Sequence, residues 1–282
     1  MGQFSEVDLH LHSTASDGTL SPQELVALAL ERGLRYIALT DHDSTEGIDA
    51  ALAAAEGTGL SVIPGVEFNT DVPAGEAHVL GYYLDHHDRE LQRLLAERRQ
   101  ARLARGLAMV RKLQGLGLEI SWERVQELAG AAGGGAVGRP HVAQALLERG
   151  YVQSIQEAFD RYIGRGGPAY VPYEKFAPEE AVRVIRRAGG VPVLAHPTSF
   201  PDYQTMLPSL LAAGLAGLEC YYGTYTEAEV EALLELAERY GLIATGGSDF
   251  HGQETGFSTT LGGTFVPISV IERLRECVMR NT

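Results

Sequence analysis

Short apolar segments alternate with amphipathic, helix-like segments along most of the chain. Seven of the apolar segments have the length and composition of buried strands. They are Val7–Leu11, Tyr36–Thr40, Ser61–Val66, Ala77–Tyr83, Val191–Ala195, Leu215–Tyr221 and Leu242–Thr245. Helical segments join several of these strands, a pattern that predicts an α/β fold built from parallel βα units, in either a barrel or an open doubly wound sheet.

The pattern changes between residues 89 and 173. Arg89–Leu116 is a long segment rich in Arg and Leu with apolar residues at helical spacing, and three shorter predicted helices follow it. The small residues of Gly130–Gly135 predict a flexible connection between two of these helices. We therefore expect residues 1–88 and 174–282 to form the core domain, and residues 89–173 to form a helical insertion that acts as a substrate lid.

Composition narrows the functional classes. The 282 residues are 45% hydrophobic, and no apolar run reaches the length of a membrane span. Met1–Val7 lacks the features of a signal peptide, and the two cysteines lie far apart, so we expect a reduced, cytoplasmic setting and no membrane. The net charge of −14 disfavours a long nucleic-acid duplex as partner, but not a small phosphorylated substrate or a short oligonucleotide.

Histidine and acidic residues are concentrated where the predicted strands end. His10 and His12 are two residues apart at the end of the first strand, so their side chains share one face, and Asp249 and His251 repeat this spacing after the last strand. The carboxyl ends of parallel strands meet at one edge, where active sites are built. The candidate ligands are His10, His12, Asp17, His42, Glu67, His78, His196, Asp249 and His251.

Nine candidate ligands are more than one ion can accept. A single catalytic zinc ion needs three protein ligands, whereas nine suit three ions with one bridging carboxylate. A mixture of imidazole and carboxylate groups suits Mn²⁺, Fe²⁺ or Zn²⁺ better than Ca²⁺. Any one of these motifs alone is more often a chance or structural pair, and the prediction depends on their joint occurrence.

The motifs together resemble those of the PHP (polymerase and histidinol phosphatase) family. The matching segments are His10-Leu11-His12 with Asp17, Thr40-Asp41-His42, Gly65-Val66-Glu67, Ala77-His78-Val79, Ala195-His196-Pro197 and Ser248-Asp249-Phe250-His251. The resemblance implies a distorted (β/α)7 barrel with an inserted helical subdomain, three divalent metal ions, and a hydrolase that acts on phosphoric ester bonds.

The resemblance also implies a division of the ligands among the three ions. The first ion would be held by His10, His12, Glu67 and Asp249. The second would be held by Glu67, His78 and His196, with Glu67 as the bridge. The third would be held by Asp17, His42 and His251.

The segment Gly138-Arg139-Pro140-His141 and the helical insertion resemble the subgroup of 3′,5′-nucleoside bisphosphate phosphatases and 5′→3′ exoribonucleases. Because a guanidinium matches phosphate oxygens, we expect Arg99, Arg102 and Arg139, together with His141 at a helix start, to contact substrate. The alternative for Arg99 and Arg102 is a solvated helix face. The alternative for the segment at Arg139 is structural, because Pro140 suits the first position of a helix.

The resulting hypothesis is hydrolysis of a small nucleotide's phosphomonoester by a metal-bridging hydroxide. Its catalytic group comprises Asp17, His42, Glu67, Asp249 and His251. Glu219, at a strand end, either supports the ligands or is a structural carboxylate. Trp122, Tyr221 and Tyr222 either line a base-binding wall or belong to the core or rim. Alternative functions are a 5′→3′ exonuclease on short oligonucleotides, a histidinol-phosphate-type phosphatase and a catalytically silent metal-binding regulatory module.

Overall fold

A computed structural model describes residues 5–72, 75–130, 137–172, 176–200, 202–252 and 259–281 of the chain. These residues form seven strands and ten α-helices. The strands are β1 (Val7–Leu11), β2 (Tyr36–Leu39), β3 (Ser61–Val72), β4 (Gly75–Tyr82), β5 (Val191–Leu194), β6 (Gly217–Tyr222) and β7 (Ile243–Gly247). The helices are α1 (Pro22–Glu31), α2 (Ile48–Ala55), α3 (Arg89–Gly115), α4 (Trp122–Leu128), α5 (Arg139–Glu148), α6 (Ile155–Ala158), α7 (Pro178–Arg187), α8 (Tyr203–Ala213), α9 (Glu227–Tyr240) and α10 (Ser269–Asn281).

The seven strands follow one another in sequence order around a nearly closed barrel. Its two ends meet where Leu11 pairs in parallel with Phe250, and the His12 backbone N–H donates to the Phe250 carbonyl at 3.0 Å. Gly247 permits this approach, because a Cβ there would lie 2.4 Å from the His10 nitrogen. The predicted seven-stranded α/β barrel is therefore confirmed, and the alternative of an open sheet is wrong.

One strand, β4, departs from the parallel βα units expected from the sequence. β4 runs antiparallel to both β3 and β5, whereas the other neighbouring pairs are parallel. β3 also continues to Val72, six residues beyond its predicted end, because residues 65–72 pair with β4 as a hairpin. The amino-terminal half of β4, with His78, therefore lies at the same rim as the carboxyl ends of the parallel strands.

The barrel interior is filled by apolar side chains from most of the strands and from α10. Leu9, Leu80 and Val193 are completely buried in this cluster, and Val270 and Leu274 of α10 join it. No helix was predicted after the last strand. The apolar residues of Ser269–Asn281 recur at helical spacing, so the signal for α10 was present in the sequence.

The helices between β4 and α7 have a hydrophobic core of their own. Its buried members run from Val110 to Ala169 and come from α3, α4, α5 and the segments that follow them. After α6 the chain continues as a π-helical turn at Phe159–Ile163. The small-residue run 130–135, apart from Gly130, and the expected domain boundary at residue 173 lie outside the described residues.

The described part of the chain contains no helix that combines the length and the apolar character needed to cross a membrane. Cys220 and Cys277 are both free thiols.

Candidate metal centre

The nine predicted ligands lie together at one rim of the barrel. They come from the ends of β1, β5 and β7, from the β3–β4 hairpin and from the loops that follow β1 and β2. Seven of them have side chains no more than 11% exposed, namely His10, His12, Asp17, His42, Glu67, His196 and His251. The rim therefore gathers titratable groups that are far apart in the sequence into one largely buried cluster.

Four of these residues form the first group. The His10 Nε2 atom lies 3.3 Å from Glu67 Oε2 and 3.3 Å from Asp249 Oδ1. The His12 Nε2 atom lies 3.3 Å and 3.1 Å from the same two oxygens. All four side chains offer an atom to one common point, as the i, i+2 spacing on β1 predicts.

Glu67 lies at the centre of the second group. Its Oε1 atom lies 2.8 Å from His78 Nδ1 and 3.1 Å from His196 Nε2. Its Oε2 atom lies 3.0 Å from His42 Nδ1 and also faces His10. Since one carboxylate contacts all of these imidazoles, it is placed to bridge two ions.

Asp17 is the carboxylate of the third group. Its Oδ1 atom lies 3.5 Å from His251 Nε2, and its Oδ2 atom lies 3.9 Å from His42 Nε2. His12 Nδ1 is 3.8 Å from Asp17 as well. His42 faces Glu67 with one nitrogen and Asp17 with the other, so it lies between the second and third groups.

The rim meets two physical requirements for holding cations. It has buried ligand atoms that lack another partner among the described residues, and the distances between its ligand atoms suit metal bonds. Four buried atoms have no hydrogen-bond partner within the described residues, namely His10 Nε2, His12 Nε2, Asp17 Oδ1 and Glu67 Oε2. Bond lengths of about 2.1 Å place neighbouring ligand atoms of a tetrahedral or octahedral site about 3.0–3.4 Å apart. The contacts of 3.1–3.3 Å in the first group match that spacing. Unpaired buried donor atoms at this spacing would be costly without a cation between them.

Two hydrogen bonds fix which imidazole nitrogen faces the cluster. His10 Nδ1 donates to Glu219 Oε1 at 2.9 Å, and His251 Nδ1 donates to the Asp249 carbonyl at 2.9 Å. Each ring therefore presents the lone pair of Nε2 to the rim, which is the form that binds a metal. Glu219 Oε2 also accepts from the His196 backbone N–H at 2.7 Å, so one completely buried carboxylate orients two of the candidate ligands.

The imidazoles that face the three cluster carboxylates lower the pKa of each. Burial alone would raise the pKa of Glu67, but the adjacent imidazoles, His42 first, hold it well below its usual value. Burial would also raise the pKa of Asp17, but His42 and His251, which face this carboxylate, lower it. Burial would likewise raise the pKa of Asp249, but the neighbouring His10 lowers it. The Oδ2 atom of Asp249 also accepts a hydrogen bond of 2.7 Å from the Tyr222 hydroxyl.

The rim contains strained backbone. Asp43, His196 and Asp249 have φ angles of 47°, 25° and 52°, a region that residues with a Cβ rarely adopt. All three lie beside or within the ligand cluster. Strain of about 1–3 kcal/mol per residue is typical of functional sites, where the surrounding structure enforces it.

A cavity of about 580 Å³ lies above the ligand cluster, between the rim and the helices that follow β4. Asp17, His42, Glu67, His78 and Asp249 form its floor. Its walls contain three guanidinium groups and a set of apolar side chains. The guanidinium groups belong to Arg102, Arg105 and Arg139, and the apolar set includes Met109, Val137, Ile155 and Phe159.

The three arginines are held by acidic groups or carbonyl oxygens. Arg102 Nε lies 3.3 Å from Asp43 Oδ2. Arg105 Nη2 donates to Glu76 Oε1 at 3.1 Å, and Arg139 Nη2 donates to the other oxygen of the same carboxylate. Burial would raise the pKa of Glu76, but Arg139 and Arg105 lower it. One ionised carboxylate on β4 therefore fixes two cationic side chains from α3 and α5.

The four predicted substrate contacts divide into two groups. Arg102 and Arg139 reach the cavity, whereas Arg99 and His141 are not among the described residues that line it. Arg99 Nη2 lies 3.0 Å from Glu46 Oε1, and His141 Nδ1 accepts from the Gly138 backbone N–H at 2.9 Å. Arg99 therefore forms an ion pair with Glu46, and His141 caps the start of helix α5.

Several cavity residues were not identified from the sequence. Arg105 lies three residues after Arg102 on α3, so helical spacing could have added it to the candidates. Glu76 lies two residues before His78 on β4, and the period of a strand places both on one face. Phe159 and Met109 gave no such signal, because apolar residues in predicted helices are usually core.

Comparisons with known proteins agree with this geometry. The sequence profile of the PHP domain family matches residues 8–166 of the chain. The chain is 37% identical to the 5′-3′ exoribonuclease Rnm of Salmonella typhimurium, over 86% of this chain and 84% of that protein. It is 33% identical to the 3′,5′-nucleoside bisphosphate phosphatase of Chromobacterium violaceum, over 88% of both chains. A solved structure from Bifidobacterium adolescentis, described as that of a metal-dependent phosphoesterase, superposes with a TM-score of 0.88 at 31% identity over 96% of both chains.

Proposed function

The chain belongs to the PHP family of metal-dependent phosphoesterases, and from this membership we propose that it removes a phosphate group from a small nucleotide, such as a 3′,5′-nucleoside bisphosphate or a nucleoside monophosphate. One observation carries the proposal. A single cavity joins a floor of buried imidazoles and carboxylates to a wall of guanidinium groups and a wall of apolar side chains. These surfaces correspond to the reacting phosphate, a further anionic group and a nucleobase.

The floor would hold three divalent ions, with Mn²⁺, Fe²⁺ or Zn²⁺ as the best match to its donor atoms. The proposed ligand groups are those described above around Asp249, Glu67 and Asp17, and the first and third coincide with sets of donor atoms close enough for one ion. Bound divalent ions supply an activated water molecule and neutralise charge on the phosphoryl oxygens.

The chain's own groups supply orientation. Glu219 holds the His10 ring with Nε2 towards the floor, and the Tyr222 hydroxyl holds one oxygen of Asp249. Burial and the Asp249 carboxylate raise the pKa of Tyr222, so its hydroxyl stays protonated and remains a donor. Fixed ligands of this kind keep the reacting groups in place without reorganisation during the reaction.

The upper part of the cavity would select the substrate. Arg102, Arg105 and Arg139 line this part of the cavity, and a guanidinium fork suits phosphate oxygens. Phe159 and Met109 offer apolar surface for a base. A volume of about 580 Å³ lies within the range of about 300–1,000 Å³ typical of small-molecule sites. In this proposal residues 89–173 form the lid that excludes water.

Phosphate release from a substrate panel tests the proposal. The purified protein, loaded with Mn²⁺, is incubated with adenosine 3′,5′-bisphosphate, adenosine monophosphate, histidinol phosphate and a 5′-phosphorylated short RNA. We expect rapid release of inorganic phosphate from the nucleotides and slow release from histidinol phosphate. An Asp17→Asn variant is the matched control for contaminating phosphatase. Faster turnover of histidinol phosphate, or no turnover by metal-loaded protein, would contradict the proposal.

A second candidate is 5′→3′ hydrolysis of short RNA, favoured by the similarity to a protein named as an exoribonuclease. The same floor could cleave a phosphodiester, because the ligand cluster does not distinguish the two ester types. In the assay above, this activity would appear as successive mononucleotides released from the 5′ end of the RNA. The rate of RNA hydrolysis, compared with the rate of phosphate release from adenosine 3′,5′-bisphosphate, decides which substrate is preferred.

A further inference from the structure

Outside the cavity, Asp49, His86 and His87 form a separate cluster of metal-binding groups. Asp49 lies in the first turn of α2, and the two histidines lie in the loop between β4 and α3. His86 Nε2 is 2.9 Å from Asp49 Oδ1, and His87 Nε2 is 3.4 Å from the same oxygen. The donor atoms of all three lie within 4.8 Å of one another. None of the three residues lines the cavity described above.

These distances match the spacing between neighbouring ligands of one small cation, which is about 3.0–3.4 Å for metal bonds of about 2.1 Å. The rings of His86 and His87 lie 4.1 Å apart and both turn Nε2 towards one oxygen. A single hydrogen bond to Asp49 would need only one of these rings. Convergence of two adjacent imidazoles on one carboxylate therefore points to an ion that accepts all three.

The loop that carries the histidines is fixed by its own contacts. The Gln92 side chain, in the first turn of α3, donates to the His86 carbonyl at 2.6 Å and to Thr45 Oγ1 at 2.7 Å. The His87 backbone N–H donates to Asp85 Oδ1 at 3.0 Å. The backbone that carries the two histidines is therefore fixed before any ion binds, which lowers the entropic cost of binding.

The exposure of the three groups also suits a cation. His86 is largely buried, with 14% of its side chain exposed, whereas Asp49 and His87 are each 68% exposed. The open side leaves coordination positions for water, so binding is expected to be exchangeable.

We propose that Asp49, His86 and His87 bind a single transition-metal ion such as Zn²⁺, separate from the ions of the catalytic rim. Two imidazole ligands favour this class of ion over Mg²⁺ and Ca²⁺, which prefer all-oxygen sites. Such an ion joins α2 to the loop that leads into α3, and α3 carries Arg102 and Arg105 into the cavity. The site lies outside the cavity, beside the point where the chain leaves the barrel for the helical region.

Counting bound zinc tests this proposal. The wild type, His87→Gln and the double variant His86→Gln/His87→Gln are equilibrated at a series of free Zn²⁺ concentrations set by a chelator buffer, and metal content is measured by mass spectrometry. We expect the double variant to bind one Zn²⁺ fewer per chain, and the single variant to bind that ion more weakly. Glu56→Gln, an exposed carboxylate change at the other end of α2, should retain the wild-type count.

Phosphoesterase activity and folding separate this result from damage elsewhere. His87 is mostly exposed, so its substitution should leave the circular dichroism spectrum and the turnover rate unchanged. One ion lost with full activity retained supports the proposal. An equal zinc count in all variants would overturn it, and so would a lower count accompanied by loss of activity, because the missing ion would then belong to the catalytic rim. Failure of the proposed function would leave the count of this peripheral ion unaffected.

Discussion

On the barrel side of the cavity, His10 and His12 face Glu67 and Asp249 at 3.1–3.3 Å, and several of the buried atoms have no hydrogen bond to any described part of the chain. On the helical side, the guanidinium groups donate to oxygens that are already in place, such as those of Glu76. The first arrangement is costly until cations enter, whereas the second is satisfied in the free protein. The floor therefore needs cations to complete it, whereas the guanidinium groups of the wall are already held in place by oxygens of the protein.

The largest effect is expected at the floor. Glu67→Gln removes the charge that faces five imidazoles, so we expect kcat to fall by about 10³-fold or more and the metal content to drop. Steady-state kinetics and metal analysis measure both. Glu231→Gln, on the exposed face of α9, is the control and should behave as wild type. If the Glu67→Gln variant kept its full metal content and full activity, the Glu67 carboxylate would not bridge two metal ions.

A smaller effect is expected behind the floor. Glu219→Gln keeps the shape of the side chain but weakens the hydrogen bond that orients His10. We expect a loss of about 10- to 100-fold in metal affinity or activity, as is usual for groups that orient ligands. Titration of activity with Mn²⁺ should show partial recovery at high metal concentration. Wild-type metal affinity would mean that Glu219 is a structural carboxylate only.

For the wall of guanidinium groups in the cavity, we expect a substitution to change KM and not kcat. Glu76→Gln releases Arg105 and Arg139 from their fixed positions, and we expect KM for a nucleoside bisphosphate to rise about tenfold with kcat nearly unchanged. Glu46→Gln breaks the comparable pair with Arg99 outside the cavity and serves as the matched control. If both variants changed KM equally, the effect would come from general charge and not from the wall.

The smallest effect is expected on the apolar side. Phe159→Leu removes an aromatic face from the cavity and should raise KM for adenosine monophosphate about three- to tenfold, the equivalent of about 0.5–1.5 kcal/mol. KM for ribose 5-phosphate, which has no base, should stay the same. An equal change for both substrates would assign Phe159 to packing of the helical region.

Much of the fold followed from the sequence, because buried strands and amphipathic helices leave periodic patterns. The starts of β1 and β5 and the long helix α3 agree with the prediction. The antiparallel direction of β4 did not follow, since an apolar strand has the same composition in either direction. The direction of β4 is instead given by its pairing with residues 65–72 of β3 and with β5.

The ligand cluster was predictable for a different reason. Nine residues of metal-binding type at strand ends are improbable by chance, and the structure brings all nine to one rim. The contacts of the cationic wall were harder to predict, because Arg99 and Arg102 differ only in their position around α3. Although this spacing makes them neighbours on the helix, Arg102 pairs with Asp43 and Arg99 pairs with Glu46. Such a choice depends on packing, which a single sequence does not encode locally.

The left-handed backbone at Asp43, His196 and Asp249 has a consequence for engineering. Glycine at such positions relieves steric conflict, so selection of variants for heat resistance alone would favour replacing these residues. Two of them are candidate ligands, and the third pairs with Arg102. A thermostabilised descendant obtained in this way would be more durable and less able to turn over substrate, so activity must be selected together with melting temperature.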